Sequence, residues 1–128
     1  MADIDHFKRL NDMLGHQAGD EALRRFARWL REGVRRVDVV GRYGGEEFLA
    51  ALVDCALDDA IKVAEKIRAR VERESRSGPF EEIGGFTVSM GVAELAPGQE
   101  AKDLVAAADR ALYQAKAQGR NRVVAARD

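Results

Sequence analysis

A chain of 128 residues is large enough for one real core and too short for two. Apolar residues at 46% and charged residues at 34% exclude a disordered chain, and a net charge of −1 gives no general pull toward nucleic acid or anionic membrane. The single cysteine, Cys55, excludes an internal disulfide and a cysteine-rich zinc site and fits a reducing cytoplasm.

The first residues, Met1-Ala2-Asp3-Ile4-Asp5, read as the tail of a strand, which suggests a domain truncated at its N-terminal end. Phe7, Leu10 and Leu14 have helical spacing, and Gly15 is the expected stop. A second helix is expected to start at Gly19-Asp20, with Asp20 as N-cap and Leu23, Phe26, Ala27, Leu30 and Val34 as its apolar stripe. Arg24, Arg25, Arg28, Arg31 and Arg35 lie off that stripe, on a face read first as solvated. Val37, Val39 and Val40 predict one strand, and Phe48, Ala50 and Leu52 the next. Ala60, Ala64, Ile67 and Val71 mark a long helix to about Glu74. Ser75 to Pro79 is the most linker-like stretch and is read as a loop.

Residues 86–93 alternate with period two and predict a strand with one buried face. Pro97-Gly98 marks a turn. Leu104, Val105, Ala108, Ala111, Leu112 and Ala115 predict the last helix, closed by Gly119 at C′. Arg122-Val123-Val124 can form a terminal strand. No repeat or low-complexity tract is present, and no apolar run approaches the roughly 20 residues that span a bilayer. The order favours an α+β fold, a ferredoxin-like or palm-type mixed sheet with helices packed on it.

Two stretches carry candidate chemistry. Gly44-Gly45 fits a two-residue hairpin loop with both glycines at positive φ, followed by Glu46 and Glu47 on opposite faces of a strand. Bare backbone beside a carboxylate suits a polyphosphate and its divalent cation, although a solvated hairpin has the same local chemistry. Asp3 and Asp5 form the other acidic stretch. They are expected to point to opposite faces, so that one of them, not both, is a metal ligand. Read alone, a strand-end aspartate is more often a turn residue, Asp20 a helix cap and Asn11 a surface residue.

The series Asp3-Ile4-Asp5-His6-Phe7-Lys8, Asn11-Asp12, Gly15-His16, Gly19-Asp20, Arg42-Tyr43-Gly44-Gly45-Glu46-Glu47-Phe48, Ala111-Leu112-Tyr113-Gln114-Ala115-Lys116 and Gly119-Arg120-Asn121 resembles a GGDEF-type diguanylate cyclase domain, in its GGEEF form. The matches follow family order along nearly the whole chain. The resemblance implies a nucleotidyl cyclase-like sheet of βααββαβαβ order. It also implies condensation of two GTP into cyclic di-GMP with release of pyrophosphate, using Mg2+ or Mn2+, across a two-fold homodimer.

Carried over by residue, the resemblance makes Asp3 and Glu46 metal-binding carboxylates, with the Ile4 carbonyl as a further ligand. Glu47 takes the other acidic position of the motif, as ligand or proton acceptor. Asn11 and Asp20 become guanine readers, and Gly44 and Gly45 give the triphosphate access to the backbone. Lys116 and Arg120 become phosphate-holding cations, although basic groups at a helix end also answer the helix dipole. Arg35 and Asp38 resemble an inhibitory product site for cyclic di-GMP, where Lys66 or Arg68 is the candidate for an added contact.

The family's leading helices, its Asp-x-Leu-Thr and Asn-Arg-Arg segments and most of the first strand find no counterpart here. A sensory or receiver domain is expected upstream in the full-length protein, which is expected to be cytoplasmic or the cytoplasmic part of a membrane protein. The alternative function is a catalytically silent fragment or a regulatory module binding GTP or cyclic di-GMP. Nucleic-acid binding through the arginine-rich helix is the weakest reading, since the net charge of the chain is only −1.

Overall fold

The computed structural model describes residues 1–127. Its elements are β1 (Ala2–Ile4), α1 (Phe7–Leu14), α2 (His16–Gly33), β2 (Val39–Arg42), β3 (Glu47–Ala51), α3 (Leu57–Glu74), a 3-10 turn (Gly78–Phe80), β4 (Val88–Val92), α4 (Ala101–Ala117) and β5 (Val123–Ala125). The strands form one mixed sheet in the order β2-β3-β1-β4-β5, antiparallel except for the parallel β4–β5 pair that α4 connects. This is the α+β architecture expected. Among the described residues no helix is long and apolar enough to cross a membrane.

Strand alternation sorts the two faces of this sheet. Ala2, Ile4, Phe48, Val88 and Met90 turn to one face and join the core with Leu23, Phe26, Trp29 and Leu30 of α2 and Ile67 and Val71 of α3. Phe26 meets Phe48 edge-on at 5.0 Å, and Trp29 stacks on Phe86 at 6.3 Å. Asp3, Glu47 and Ser89 occupy paired register positions on the other face. There α4 lies directly on β4. A Cβ on Gly91 would stand 2.1 Å from the Ala108 carbonyl oxygen, so only glycine permits this approach.

Several local expectations are corrected. Helix α2 begins at His16 rather than Asp20, because Gly15 (φ 92°) already turns the chain, so Asp20 lies inside the helix and is no cap. Val37 is an exposed turn residue outside β2. The hairpin turn is wider than two residues: the amides of Tyr43 and Gly44 both donate to the Glu47 carbonyl, and neither Gly44 nor Gly45 has positive φ. Arg42 closes the turn from inside by donating to the carbonyls of Gly44 and Gly45. The stretch read as a linker is anchored in the interior. Ser75 is wholly buried, exchanging hydrogen bonds of 2.9 Å with the amide and carbonyl of Phe86, and Phe80 is core.

A cavity of about 710 Å³ opens beside the start of β1. Strand β3 runs past it to Ala51 and β4 to Val92, while β1 pairs with them only from Ala2 onward. The walls are apolar, including Met1, Leu49, Ala51, Val92 and Val105.

Candidate active site

Asp3 sits in the central strand directly opposite Glu47 of β3, so both side chains emerge on the same face. Glu46 lies one residue before β3, and its carbonyl accepts the Ile4 amide at 3.3 Å, which fixes this loop residue beside β1. From the far side of the chain, Lys116 on the last turn of α4 reaches the Asp3 carboxylate at 2.5 Å. Burial pushes the Asp3 carboxyl up to about 6; Lys116 opposes this through hydrogen bond and charge, and the charges of Glu46 and Glu47 add to it. Negative charge is therefore concentrated where one carboxylate is nearly out of water.

That environment suits a hard divalent cation. Among the described residues no three acidic, histidine or cysteine side chains form a ready cage. Magnesium does not need one, since it commonly takes one or two carboxylates and fills the remaining positions with water and substrate phosphates. The Asp3 and Glu46 carboxylates and the Ile4 carbonyl are oxygen donors of the type such an ion takes.

Helix α4 ends as its sequence requires. Gly119 takes φ 124°, its amide donates to the Lys116 carbonyl, and the Arg120 amide donates to that of Ala115, which is a Schellman closure. Lys116 and the exposed Arg120 thus flank one helix end. Asn11 of α1 packs against Gly19 of α2, where a Cβ would stand 1.7 Å from its amide oxygen. That oxygen is buried and has no partner among the described residues. Asp20, next in sequence to Gly19, is exposed.

Two expectations change in kind. Asp3 and Asp5 do not point to opposite faces of the sheet. Residues two apart on a strand share a face, so alternation could not separate the pair. Asp5, one residue past the end of β1, has its carboxylate occupied by protein donors: it accepts from Ser89 Oγ (2.6 Å), Thr87 Oγ1 (2.7 Å) and the Asn121 amide (3.0 Å). Its neighbours Thr87, Ser89 and Asn121 were missed. For Thr87 and Ser89 the signal was polarity at alternating positions in an otherwise apolar stretch.

Arg35 and Asp38 meet at the end of the β2–β3 hairpin remote from the glycine turn. Asp38 is 3% exposed and accepts from the Arg35 amide, Nε and Nη2 and from the Val53 amide. These bonds, with that of Arg35 first, hold its carboxyl down to about 2. Four donors fill a carboxylate, so Asp38 offers little to a ligand as it stands, whereas half of the Arg35 side chain is exposed. Arg68 is committed elsewhere, to Glu65, Glu72 and Asn121.

A mixed sheet with acids at the end of its central strand and on the adjoining hairpin defines the nucleotidyl cyclase class of palm-like domains. Residues 1–122 match the family described as diguanylate cyclase, GGDEF domain, and the chain belongs to that family. It is 45% identical to the response regulator PleD of Caulobacter vibrioides over 97% of its length, and 45% identical to diguanylate cyclase DgcM of Escherichia coli over 98%. It spans only 28% and 30% of those proteins. Among solved structures it resembles the active GGEEF domain of a diguanylate cyclase from Vibrio cholerae, with a TM-score of 0.91 and 36% identity, covering 99% of this chain and 80% of that one. The GGDEF domain of DgcB from Caulobacter crescentus, solved with c-di-GMP, gives 0.88 and 38%, covering 98% and 74%.

Proposed function

We propose that this domain condenses two GTP molecules into cyclic di-GMP, each protomer of a two-fold dimer presenting one nucleotide. The observation that carries the reading is Asp3, a nearly buried carboxylate crowded by Glu46 and Glu47 and met by Lys116. Asp3, Glu46 and the Ile4 carbonyl would hold Mg2+ or Mn2+. Such an ion neutralises charge on the transferring phosphoryl group and favours ionisation of the attacking hydroxyl. Glu47, opposite Asp3, deepens the negative potential that draws the cation in.

With a cation and GTP bound, Lys116 would leave Asp3 free as a ligand and, with Arg120, would offset the charge of the triphosphate. The glycine turn keeps side chains out of the way of the phosphates. Asn11 and Asp20 read the base, and the unpartnered Asn11 oxygen supports this because guanine N–H groups would supply its missing donor. In the reaction each 3′-oxygen bonds to the α-phosphorus of the other nucleotide, and the bond to pyrophosphate breaks.

The test is turnover of GTP with Mg2+. Cyclic di-GMP should form at a rate that rises more steeply than protein concentration, and Glu46→Ala should lower it by about 100-fold or more. Undiminished turnover in that variant would overturn the site.

Arg35, on the remote end of the hairpin, is our candidate for cyclic di-GMP acting as inhibitor; Asp38 serves it there as a brace. We read the 128 residues as one domain of a longer cytoplasmic protein with a regulatory domain, which the 28% and 30% coverage of the two relatives supports.

A further inference from the structure

We infer that Asp5 is a positioning residue, whose buried carboxylate clamps the loop after α4 so that Lys116 and Arg120 face the triphosphate. This deepens the proposed function and rests on it. Asp5 is 5% exposed, and its carboxylate accepts three hydrogen bonds. Two come from Thr87, just before β4, and Ser89 within it, while the third comes from the backbone amide of Asn121. The Asp5 amide in turn donates to the Thr87 carbonyl at 2.9 Å. One side chain thus joins the end of β1 to β4 and to the segment that follows α4.

That segment is costly to hold. Arg120 and Asn121 both take positive φ, 64° and 47°, next to Gly119 at 124°. Consecutive non-glycine residues in the left-handed region persist only where surrounding bonds fix them. The Asn121 amide is fixed by Asp5. Its side chain is fixed from α3, accepting from Arg68 at 2.7 Å and donating to Glu72 at 2.6 Å. The bond from the Arg120 amide to the Ala115 carbonyl carries this constraint back to the last turn of α4, where Lys116 meets Asp3. The two cations therefore take their direction from a loop held at both sides.

A role through the cations makes a selective prediction. Binding of Mg·GTP and Mg·GMP to the 128-residue chain is measured by calorimetry for wild type, Asp5→Ala and Asp5→Asn. Asp5→Ala should weaken GTP about tenfold and GMP less than about twofold, because only the longer phosphate chain reaches both cations. Asp5→Asn keeps the size and one acceptor oxygen, and should recover GTP binding to within about threefold of wild type. If Asp5→Ala does not fold, Ser89→Ala, which removes one of the three bonds, should show the same preference at smaller size. Equal losses for GTP and GMP, or none, would overturn the clamp. Hydrogen exchange of the Asn121 amide separates this from failure of the nucleotide reading. Slow exchange in wild type and fast exchange in Asp5→Ala, with neither nucleotide bound by wild type, would leave the loop anchor standing and overturn its role toward the triphosphate.

Discussion

Lys116 and Asp3, 113 residues apart in sequence, meet at 2.5 Å where the last helix passes over the central strand. Asp3 is nearly buried and Lys116 about one-third exposed, so the pair is lopsided. Removing the cation strands the acid, and removing the acid merely frees the cation.

Lys116→Ala should therefore cost about 1–2 kcal/mol of stability at pH 7.5, below the range for a fully buried pair because solvent screens the lysine. At pH 5 the Asp3 carboxyl, pushed up to about 6, is largely neutral. The cost of the variant should shrink there. Urea unfolding at both pH values checks this, and an equal loss at both would contradict it.

The same acid shapes stability against pH. Its folded value of about 6 lies above the ordinary 3.8, so between those values the native state holds the extra proton and stability falls as pH rises. The Met1 ammonium acts oppositely: burial lowers it from 8.0 to about 6, so the unfolded chain holds the extra proton and stability rises with pH over that span. Unfolding temperature should pass through a shallow minimum near pH 6. Asp3→Asn should remove the acid-side fall and leave the alkaline rise. A fall that survives in the variant would assign it to another group.

Ser75 and Gly91 report on packing. Ser75→Ala leaves the Phe86 amide and carbonyl unpaired in the interior and should cost about 1–3 kcal/mol. Gly91→Ala drives a methyl group into the backbone of α4 and should cost at least about 1–3 kcal/mol. Because α4 carries Lys116, Gly91→Ala should also weaken GTP binding, whereas Ser75→Ala should leave it near wild type. Chemical denaturation with nucleotide titration distinguishes them. Equal effects on binding would contradict the assignment.

At the remote end of the hairpin, Arg35→Ala should weaken cyclic di-GMP about tenfold by removing a charged donor. Asp38→Ala should lower stability, since it releases Arg35 and the Val53 amide together. Calorimetry showing unchanged product affinity in Arg35→Ala would remove this site.

Much of this was legible in the chain. Helical spacing gave α1, α3 and α4, and Gly119 announced the end of the last helix. The site acids were visible as types, and family order placed them. Two things were hidden because they depend on partners distant in sequence, and a third because a side chain inside the turn sets its shape. Ser75 looked like a linker residue until Phe86, eleven residues on, proved to need its hydroxyl. Asp5 was paired with Asp3 only as a metal candidate facing the other way, because Asn121, 116 residues away, cannot be read as its donor. Gly44 and Gly45 suggested positive φ, but the Arg42 guanidinium holds a wider turn that needs none.

The most direct measurement is a crystal of the chain with Mn2+ and a non-reacting GTP analogue, the metal located by its anomalous scattering. The account predicts a peak within about 2.5 Å of carboxylate oxygens of both Asp3 and Glu46, with the triphosphate completing its shell. A peak held by the phosphates alone, or by Asp3 without Glu46, would contradict it.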